Sequence, residues 1–483
     1  MREIEVRPPG PGAVPGGAAI TRESILAKVE QHHEEIRAPR GPRWWVAVLG
    51  LAAAALAAGA CGGAGNEDWP EFRGPLGTGV SDAENLPTVW KEGSSNIRWK
   101  ATLSGVGNST PVASAGQVYL TYAFRDEAAG EPAGPKAQRW RAVQAFDLES
   151  GEELWSTRIV KAPSEKKHRL NTLAAPSPVL EGDSVFVYFG SVLARLDRQG
   201  TVIWQKEIDP TYAKFTRYGA ASSPVLTQKA VIIFQDQEYA RTEDIGWLAA
   251  FDRETGEQLW RQEWKNSCCG YSTPLVVDRG SGEEVIVGHT VRVTSYDAGT
   301  GEILWNHDYP MRQVVSSPML DGDLLGVSGG AHNIRGTVFL RLAGSGAETS
   351  KEVLWEDTRF APHTSSPVLY RGLMFAVTDP GIMSCFDAET GELKWKDRLP
   401  LARNRASLVA GDGKIYVSST LGRIFVVAAD GTGFRLLSDN GLEEPGSNAS
   451  PAVAGGCLLV RTHAYLYCIE GGEEIPAPAG SST

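Results

Sequence analysis

From Trp99 to Glu470 the apolar positions fall into short runs dominated by aromatic and β-branched residues, such as Val185-Phe-Val-Tyr-Phe189 and Ile415-Tyr-Val417. Gly, Asp or Asn breaks each run after a few residues. This is strand–turn punctuation with no helical period. The runs are framed by two recurring signatures. The first is DLESGEELW at Asp147–Trp155, DRETGEQLW at Asp252–Trp260, DAGTGEILW at Asp297–Trp305 and DAETGELKW at Asp387–Trp395. Weaker copies stand at Asp197–Trp204, at Leu342–Trp355 (expanded, without the Asp) and at Asp430–Leu437, where the Trp is lost. The second opens a short apolar run at Ser109, Ser177, Ser222, Ser272, Ser316, Ser365 and Ser450 with a Ser-x-Pro-Val pattern, and Arg405-Ala-Ser-Leu-Val409 is a degenerate eighth copy.

A recurrence every 40 to 56 residues marks a repeat architecture. Each unit reads as a Ser-x-Pro-Val strand, a turn, a second strand, a loop, a third strand ending in Asp, a Thr-Gly turn and a Trp-bearing fourth strand. Four antiparallel strands in that length make one propeller blade. The Pro opens the first strand, where a missing N–H does no harm. The Gly supplies positive φ in the tight turn, and the Asp accepts turn N–H groups. The Trp presents a flat face of about 200 Å² to the neighbouring blade. On this reading Asp147, Trp155, Asp252, Trp260, Asp297, Trp305, Asp387 and Trp395 are structural.

Eight Ser-x-Pro-Val starts predict an all-β, eight-bladed β-propeller of four-stranded antiparallel blades over residues 96–470. The last unit ends near Glu470 without room for a Trp strand, while Asn96-Ile-Arg-Trp99-Lys is a Trp strand with no blade before it. The N-terminal strand is therefore expected to complete the last blade and close the ring.

These repeats resemble PQQ-type, quinoprotein-like β-propeller repeats. The leader Asp68-Trp-Pro-Glu-Phe-Arg-Gly-Pro-Leu-Gly-Thr-Gly-Val80 is similar to the start of bacterial extracytoplasmic proteins of this type. Two branches share the blade: quinoprotein dehydrogenases, which carry PQQ and Ca²⁺, and the lipoprotein subunit of the outer-membrane β-barrel assembly machine, which carries no cofactor. Fold does not decide between them.

The N-terminal part is different material. Residues 1–43 form a Pro/Gly-rich leader, expected to be largely disordered and cytoplasmic, with seven Lys and Arg ahead of the uncharged stretch Trp44–Ala60. That charge asymmetry places the propeller outside the cytoplasm. The 17-residue stretch is a little short of the roughly 20 residues of a full span. It runs into Ala58-Gly-Ala-Cys61, which resembles a lipoprotein cleavage site. Both a signal anchor over 44–61 and lipidation at Cys61 tether the chain to a membrane. Residues 62–95 read as a linker and N-terminal extension, and 471–483 as a disordered tail. From residue 67 onward, 40 Lys and Arg stand against 52 Asp and Glu, a net charge of −12, which excludes nucleic acid as a natural partner. A monomeric propeller in the bacterial cell envelope, with other envelope proteins as partners, is the expected setting.

Candidate chemistry gathers on one rim. The loops before each first strand and between second and third strands emerge together there, with long stretches at Phe124–Arg139, Gln235–Asp244 and Gly329–Arg335, and such loops are where binding usually resides. Just ahead of the first strands stand Arg169, Asn171, Arg217, Tyr218, Cys268, Cys269, Arg312, His363, Arg403, Arg405 and Asn448. Converging Arg suits carboxylates or phosphates, so these residues read either as an anion-receiving channel mouth or as ordinary strand-end caps. Quinoprotein alcohol dehydrogenases carry an adjacent Cys pair against PQQ, and Cys268-Cys269 offers one here, although its flanking sequence departs from theirs. Adjacent Cα atoms stand about 3.8 Å apart, under the usual disulfide range of about 4.4–6.8 Å. No Ca²⁺ ligand set can be assigned from spacing, so no cofactor is assigned, and no catalytic or metal-binding residue is named. Cys385 and Cys468 share one third-strand position and read as core. Cys457 would face Cys468, and could bridge to it, if the last hairpin turned at Thr462-His463.

Overall fold

The computed structural model describes residues 68–472, apart from 126–137, 164–166, 211, 213–217, 237–244, 266–269, 332–333, 401–402, 443 and 445. The leader, Trp44–Cys61, Arg217, Cys268 and Cys269 thus lie outside the described residues, as do most of the loops at 124–139 and 235–244. Among the described residues no helix is long and apolar enough to cross a membrane.

Eight antiparallel sheets follow one another along the chain. Blade 1 comprises Val112–Ser114, Gln117–Phe124, Gln138–Asp147 and Glu153–Pro163, and blades 2 to 7 repeat that order. In blade 8 the strands Ala452–Ala454, Cys457–Arg461 and Tyr465–Glu470 take their fourth member from Ile97–Thr102, paired antiparallel with Trp99 opposite Cys468. First strands begin directly after the motif Pro, at Val112, Val179, Val225, Leu275, Met319 and Val368.

Two sets of contacts join the blades. On the outside, each motif Trp lies against the Thr-Gly turn of the next blade and donates its indole N–H to a carbonyl there. The bonds run from Trp99 to Leu148 (2.9 Å), Trp155 to Arg198 (2.7 Å), Trp204 to Arg253 (3.0 Å), Trp260 to Ala298 (2.9 Å), Trp355 to Ala388 (2.8 Å) and Trp395 to Asp430 (2.9 Å). The turn must carry Gly. Gly301, at φ +75°, would place a Cβ 2.6 Å from the Trp260 ring. The Asp ahead of the turn holds it: Asp252 Oδ1 accepts from the N–H groups of Glu254 (3.0 Å) and Thr255 (2.8 Å). Such turn N–H donors hold the Asp147, Asp252 and Asp387 carboxyls below the usual carboxylate range.

Trp305 is the exception. Blade 5 replaces the Thr-Gly turn with a longer connection carrying the 3-10 turn Gly346–Glu348. The buried Glu284 carboxylate stands in for the turn carbonyl, accepting from Trp305 Nε1 (3.1 Å), Ser295 Oγ (2.7 Å) and Gly346 N–H (2.9 Å).

On the inside runs a ring of hydroxyl staples. The backbone N–H of the residue before the motif Pro donates to the hydroxyl of the equivalent residue one blade on. The staples link Thr110 to Ser177 (2.9 Å), Ser177 to Ser223 (3.0 Å), Ser223 to Thr273 (3.1 Å) and Thr273 to Ser317 (3.1 Å). They continue from Ser317 to Ser366 (3.0 Å), Ser366 to Ser407 (3.2 Å) and Ser407 to Ser450 (2.9 Å). The sequence reading assigned the Pro a role and missed the hydroxyl beside it.

The N-terminal extension is integral from Trp69 onward. Trp69 exchanges N–H···O bonds with Ala113 in blade 1 (2.8 Å each way), the Pro70 carbonyl accepts from Leu180 in blade 2 (2.8 Å) and Arg73 Nη2 reaches Pro367 O beside blade 6 (2.8 Å). Val80–Ser81 then pairs in parallel with the first strand of blade 7. The extension thus crosses the inner strands from one side of the ring to the other.

Two expectations need correction. Gly329–Arg335 is mostly ladder rather than loop, since Gly329 pairs with Gly336, Gly330 with Arg335 and Ala331 with Ile334. Glycine is accommodated there because Val314 packs against Gly329. The last hairpin turns one residue later than expected, with Thr462 N–H donating to Tyr465 O (2.8 Å). Cys457 therefore pairs in register with Glu470 and Cys468 with Leu459, and the two thiols, free and buried, meet only on the diagonal.

Candidate functional site

The segments before the first strands meet at one end of the ring, and the segment Lys167–Asn171 organises them. Its Leu170 carbonyl accepts from Asn108 Nδ2 (3.0 Å) of blade 1 and Asn448 Nδ2 (2.7 Å) of blade 8. Asn171 Nδ2 donates to the carbonyls of Tyr218 (2.9 Å) and Ala220 (3.0 Å) ahead of blade 3, and His168 N–H donates to Tyr218 O (3.1 Å). The Tyr218 ring lies between His168 and Tyr271, with centroids 6.3 and 6.1 Å away. From its place ahead of blade 2 the segment ties together four neighbouring blades, 8, 1, 2 and 3, along one side of the mouth.

Opposite stands a second group. Asp379 accepts from Thr364 Oγ1 (3.1 Å), lies 3.3 Å from Arg405 Nη2 and 3.7 Å from His363 Nδ1, and its backbone carbonyl accepts from Asn404 N–H (3.0 Å). Burial alone would raise the Asp379 carboxyl, but bonds from His363 and Thr364 and the Arg405 charge outweigh it and hold the group below the usual carboxylate range. His168 is also held below its ordinary value. Although the ring is exposed, partial loss of its hydration is the first cause, followed by the positive charges of Arg405, Arg169, Lys167 and His363. The two groups therefore share one electrostatic environment.

Of the predicted mouth residues, the structure brings together Arg169, Asn171, Tyr218, His363, Arg405 and Asn448. Arg403 is exposed beside them, its carbonyl accepting from Thr420 N–H (2.9 Å), and Arg312 is half-buried ahead of blade 5. The sequence reading missed Lys167 and His168, which flank Arg169 in the chain, and Asp379, which lies in the turn between the second and third strands of blade 6. The rim is cationic on a chain of formal net charge −11. Chemically it can receive carboxylate or phosphate groups. Beneath it, between blades 2, 3 and 4, lies a small cavity lined by Tyr188, Ser222, Gln235, Asp236, Gly270 and Tyr271, with Gln235 Nε2 donating to Asp209 (2.9 Å). Among the described residues no three His, Cys, Asp or Glu side chains gather closely enough to hold a metal ion.

Eight four-stranded blades, locked by Trp against Thr-Gly turns, define a PQQ-like β-propeller. A sequence profile described as outer membrane protein assembly factor BamB matches residues 79–244, 244–337 and 292–474. The chain belongs to that family. Outer membrane protein assembly factor BamB of Yersinia pestis is 24% identical over 343 residues, which are 69% of this chain and 70% of that protein. Among solved structures, BamB from Moraxella catarrhalis superposes with a TM-score of 0.54 at 13% identity, covering 77% of this chain and 99% of that one. A europium-containing methanol dehydrogenase superposes at 0.58 with 11% identity, covering 82% and 89%. At such identities the structural likeness shows the fold alone.

Proposed function

We propose that this chain is a non-catalytic binding and scaffold module of the bacterial cell envelope, tethered through residues 44–61 with the propeller on the extracytoplasmic side. Its cationic, loop-bearing rim is the contact surface for other envelope proteins, and a role in outer-membrane protein assembly follows from the family. The observation that carries this reading is the segment Lys167–Asn171. Bonded to blades 8, 1 and 3, it is held rigidly along one side of the mouth and presents Lys167, His168 and Arg169 as an exposed surface. Acidic patches on a partner are the complementary chemistry.

The competing reading is a PQQ- and Ca²⁺-dependent dehydrogenase of alcohols or sugars. Affinity isolation of the full chain from cross-linked envelopes, run beside a titration with PQQ and Ca²⁺ and a dye-linked alcohol oxidation assay, separates the two. Recovery of β-barrel assembly components with a flat titration supports the scaffold. Saturable one-to-one PQQ binding with turnover would replace it with the enzyme.

A further inference from the structure

Most arginines of this acidic chain are engaged within the fold. On the turn face Arg195 reaches Glu254 (2.6 Å), Arg341 reaches Glu389 (3.0 Å) and Arg198 Nε donates to Gly182 O (2.9 Å). Among the described residues, the guanidiniums of Arg169, Arg312, Arg335 and Arg403 have neither a hydrogen bond, an ion pair nor an aromatic contact. All of these stand on the rim. Arg169, Arg312 and Arg403 precede the first strands of blades 2, 5 and 7, and Arg335 follows the turn between the second and third strands of blade 5.

Arg312 and Arg335 lie outside the contact surface described above, and the backbone clasps their two segments together. Gln313 O accepts from Gly330 N–H (3.3 Å), Gly330 is the ladder partner of Arg335, and a Cβ at Gly336 would meet the Met311 side chain at 3.7 Å. Gln313 takes a left-handed backbone at φ +55°, uncommon for a residue with a side chain. Strain of this kind persists only where the surrounding structure imposes it, and it clusters at binding sites. Residues 309–320 and 324–347 include no Asp or Glu, so neither segment supplies an acid to these arginines. Asp357, on the fourth strand opposite Thr337, is taken by Arg359 Nη2 (3.1 Å).

Counted round the ring of eight, blades 2, 5 and 7 stand three, two and three blades apart. The free guanidiniums therefore surround the mouth and do not gather on one edge. We propose that the rim docks a folded acidic protein surface laid over the whole mouth, with carboxylates meeting Arg169, Arg403 and the blade 5 pair Arg312 and Arg335. Guanidinium forks suit carboxylates, and a fold with many acids that leaves these arginines unpaired keeps them for an incoming anion. The inference rests on the rim being the docking surface and adds the footprint and the blade 5 contact.

The test is photo-cross-linking of the full chain in intact cells, with the photoreactive residue at Arg169 or at Arg335, both exposed. Both positions should yield adducts to the same protein. Arg312→Glu with Arg335→Glu should lower the yield of the Arg169 adduct about fivefold or more, whereas Lys396→Glu, exposed on the outer strand of blade 6, should leave it unchanged. Arg335→Glu alone serves if the double variant does not fold. An adduct at Arg169 with none at Arg335, unchanged by the blade 5 substitutions, would overturn the footprint and leave the rim reading standing. Adducts to different proteins from the two positions would overturn it as well. No adduct at Arg169 would remove the rim as the docking surface, and the footprint with it.

Discussion

Blade 6 contains a matched pair of glycines that isolates the contribution of the Trp lock. Gly372, in the turn between the first and second strands, sits at φ +74° with nothing within 4 Å of an added Cβ. Gly391, in the Thr-Gly turn, sits at φ +71°, and a Cβ there would fall 2.6 Å from Cδ2 of Trp355. Gly372→Ala should cost only the left-handed backbone strain, about 1–2 kcal/mol, less about 0.5 kcal/mol regained by stiffening the unfolded chain. Gly391→Ala carries the same strain and must also displace Trp355. That forfeits the indole bond to Ala388 O (2.8 Å), worth about 1 kcal/mol. It also loses part of the indole's burial. A third of about 200 Å² at about 25 cal/mol per Å² adds about 1.5 kcal/mol. The two variants should therefore differ by about 2.5 kcal/mol. Guanidinium unfolding followed by far-UV circular dichroism, with midpoints compared at a common slope, measures the difference. Agreement of the two variants within about 0.5 kcal/mol would refute the Trp lock as a source of stability.

Other consequences follow from the same geometry. Ser366→Ala removes the acceptor of Ser317 N–H (3.0 Å) and leaves that buried group unpaired. A loss of about 1–3 kcal/mol in unfolding free energy is expected, and a loss below about 0.5 kcal/mol would mean the staple is incidental. The Asp379 carboxyl is depressed in the folded state, so its contribution is present above the unfolded carboxylate range and is lost as pH falls through the folded value. The stability gap between the unaltered chain and Asp379→Asn should thus narrow below pH of about 4; a gap independent of pH would show that the cluster does not stabilise the ionised form. His168 should titrate below its ordinary value by NMR and move upward in Arg405→Gln, because one of the charges opposing its protonation is gone. An unmoved midpoint would contradict the proximity of His168 to Arg405.

Much of this architecture is legible in the chain because each blade repeats the same local solution. Asp, Thr-Gly and Trp recur at fixed offsets, and the Ser-x-Pro-Val copies count the blades, since turn chemistry and strand periodicity act within a few residues. What escaped reading is what the ring's curvature assembles. A hydroxyl precedes the motif Pro, or Leu408 in blade 7, in every copy: Thr110, Ser177, Ser223, Thr273, Ser317, Ser366, Ser407 and Ser450. That signal was available, but its meaning depends on a neighbour some 40 to 70 residues away. Glu284 serves Trp305 only because blade 5 lacks the usual turn. The last hairpin illustrates a finer limit, since moving its turn by one residue changes which side chain each Cys faces. At the mouth, the type of residue was readable from sequence, whereas the anchoring of Lys167–Asn171 to blades 1 and 8 rests on a carbonyl, Leu170 O, that no side-chain pattern announces.

The contact surface is the central functional claim, and site-specific photo-cross-linking in intact cells tests it directly. A photoreactive residue at Arg169 or Arg403 reports on the rim, and one at Glu254 or Glu389, exposed in Thr-Gly turns, reports on the opposite face. Adducts to β-barrel assembly components from the rim positions, with none from the turns, are the predicted result. Adducts from the turns alone, or no adduct from either face, would contradict the assignment of the rim as the docking surface.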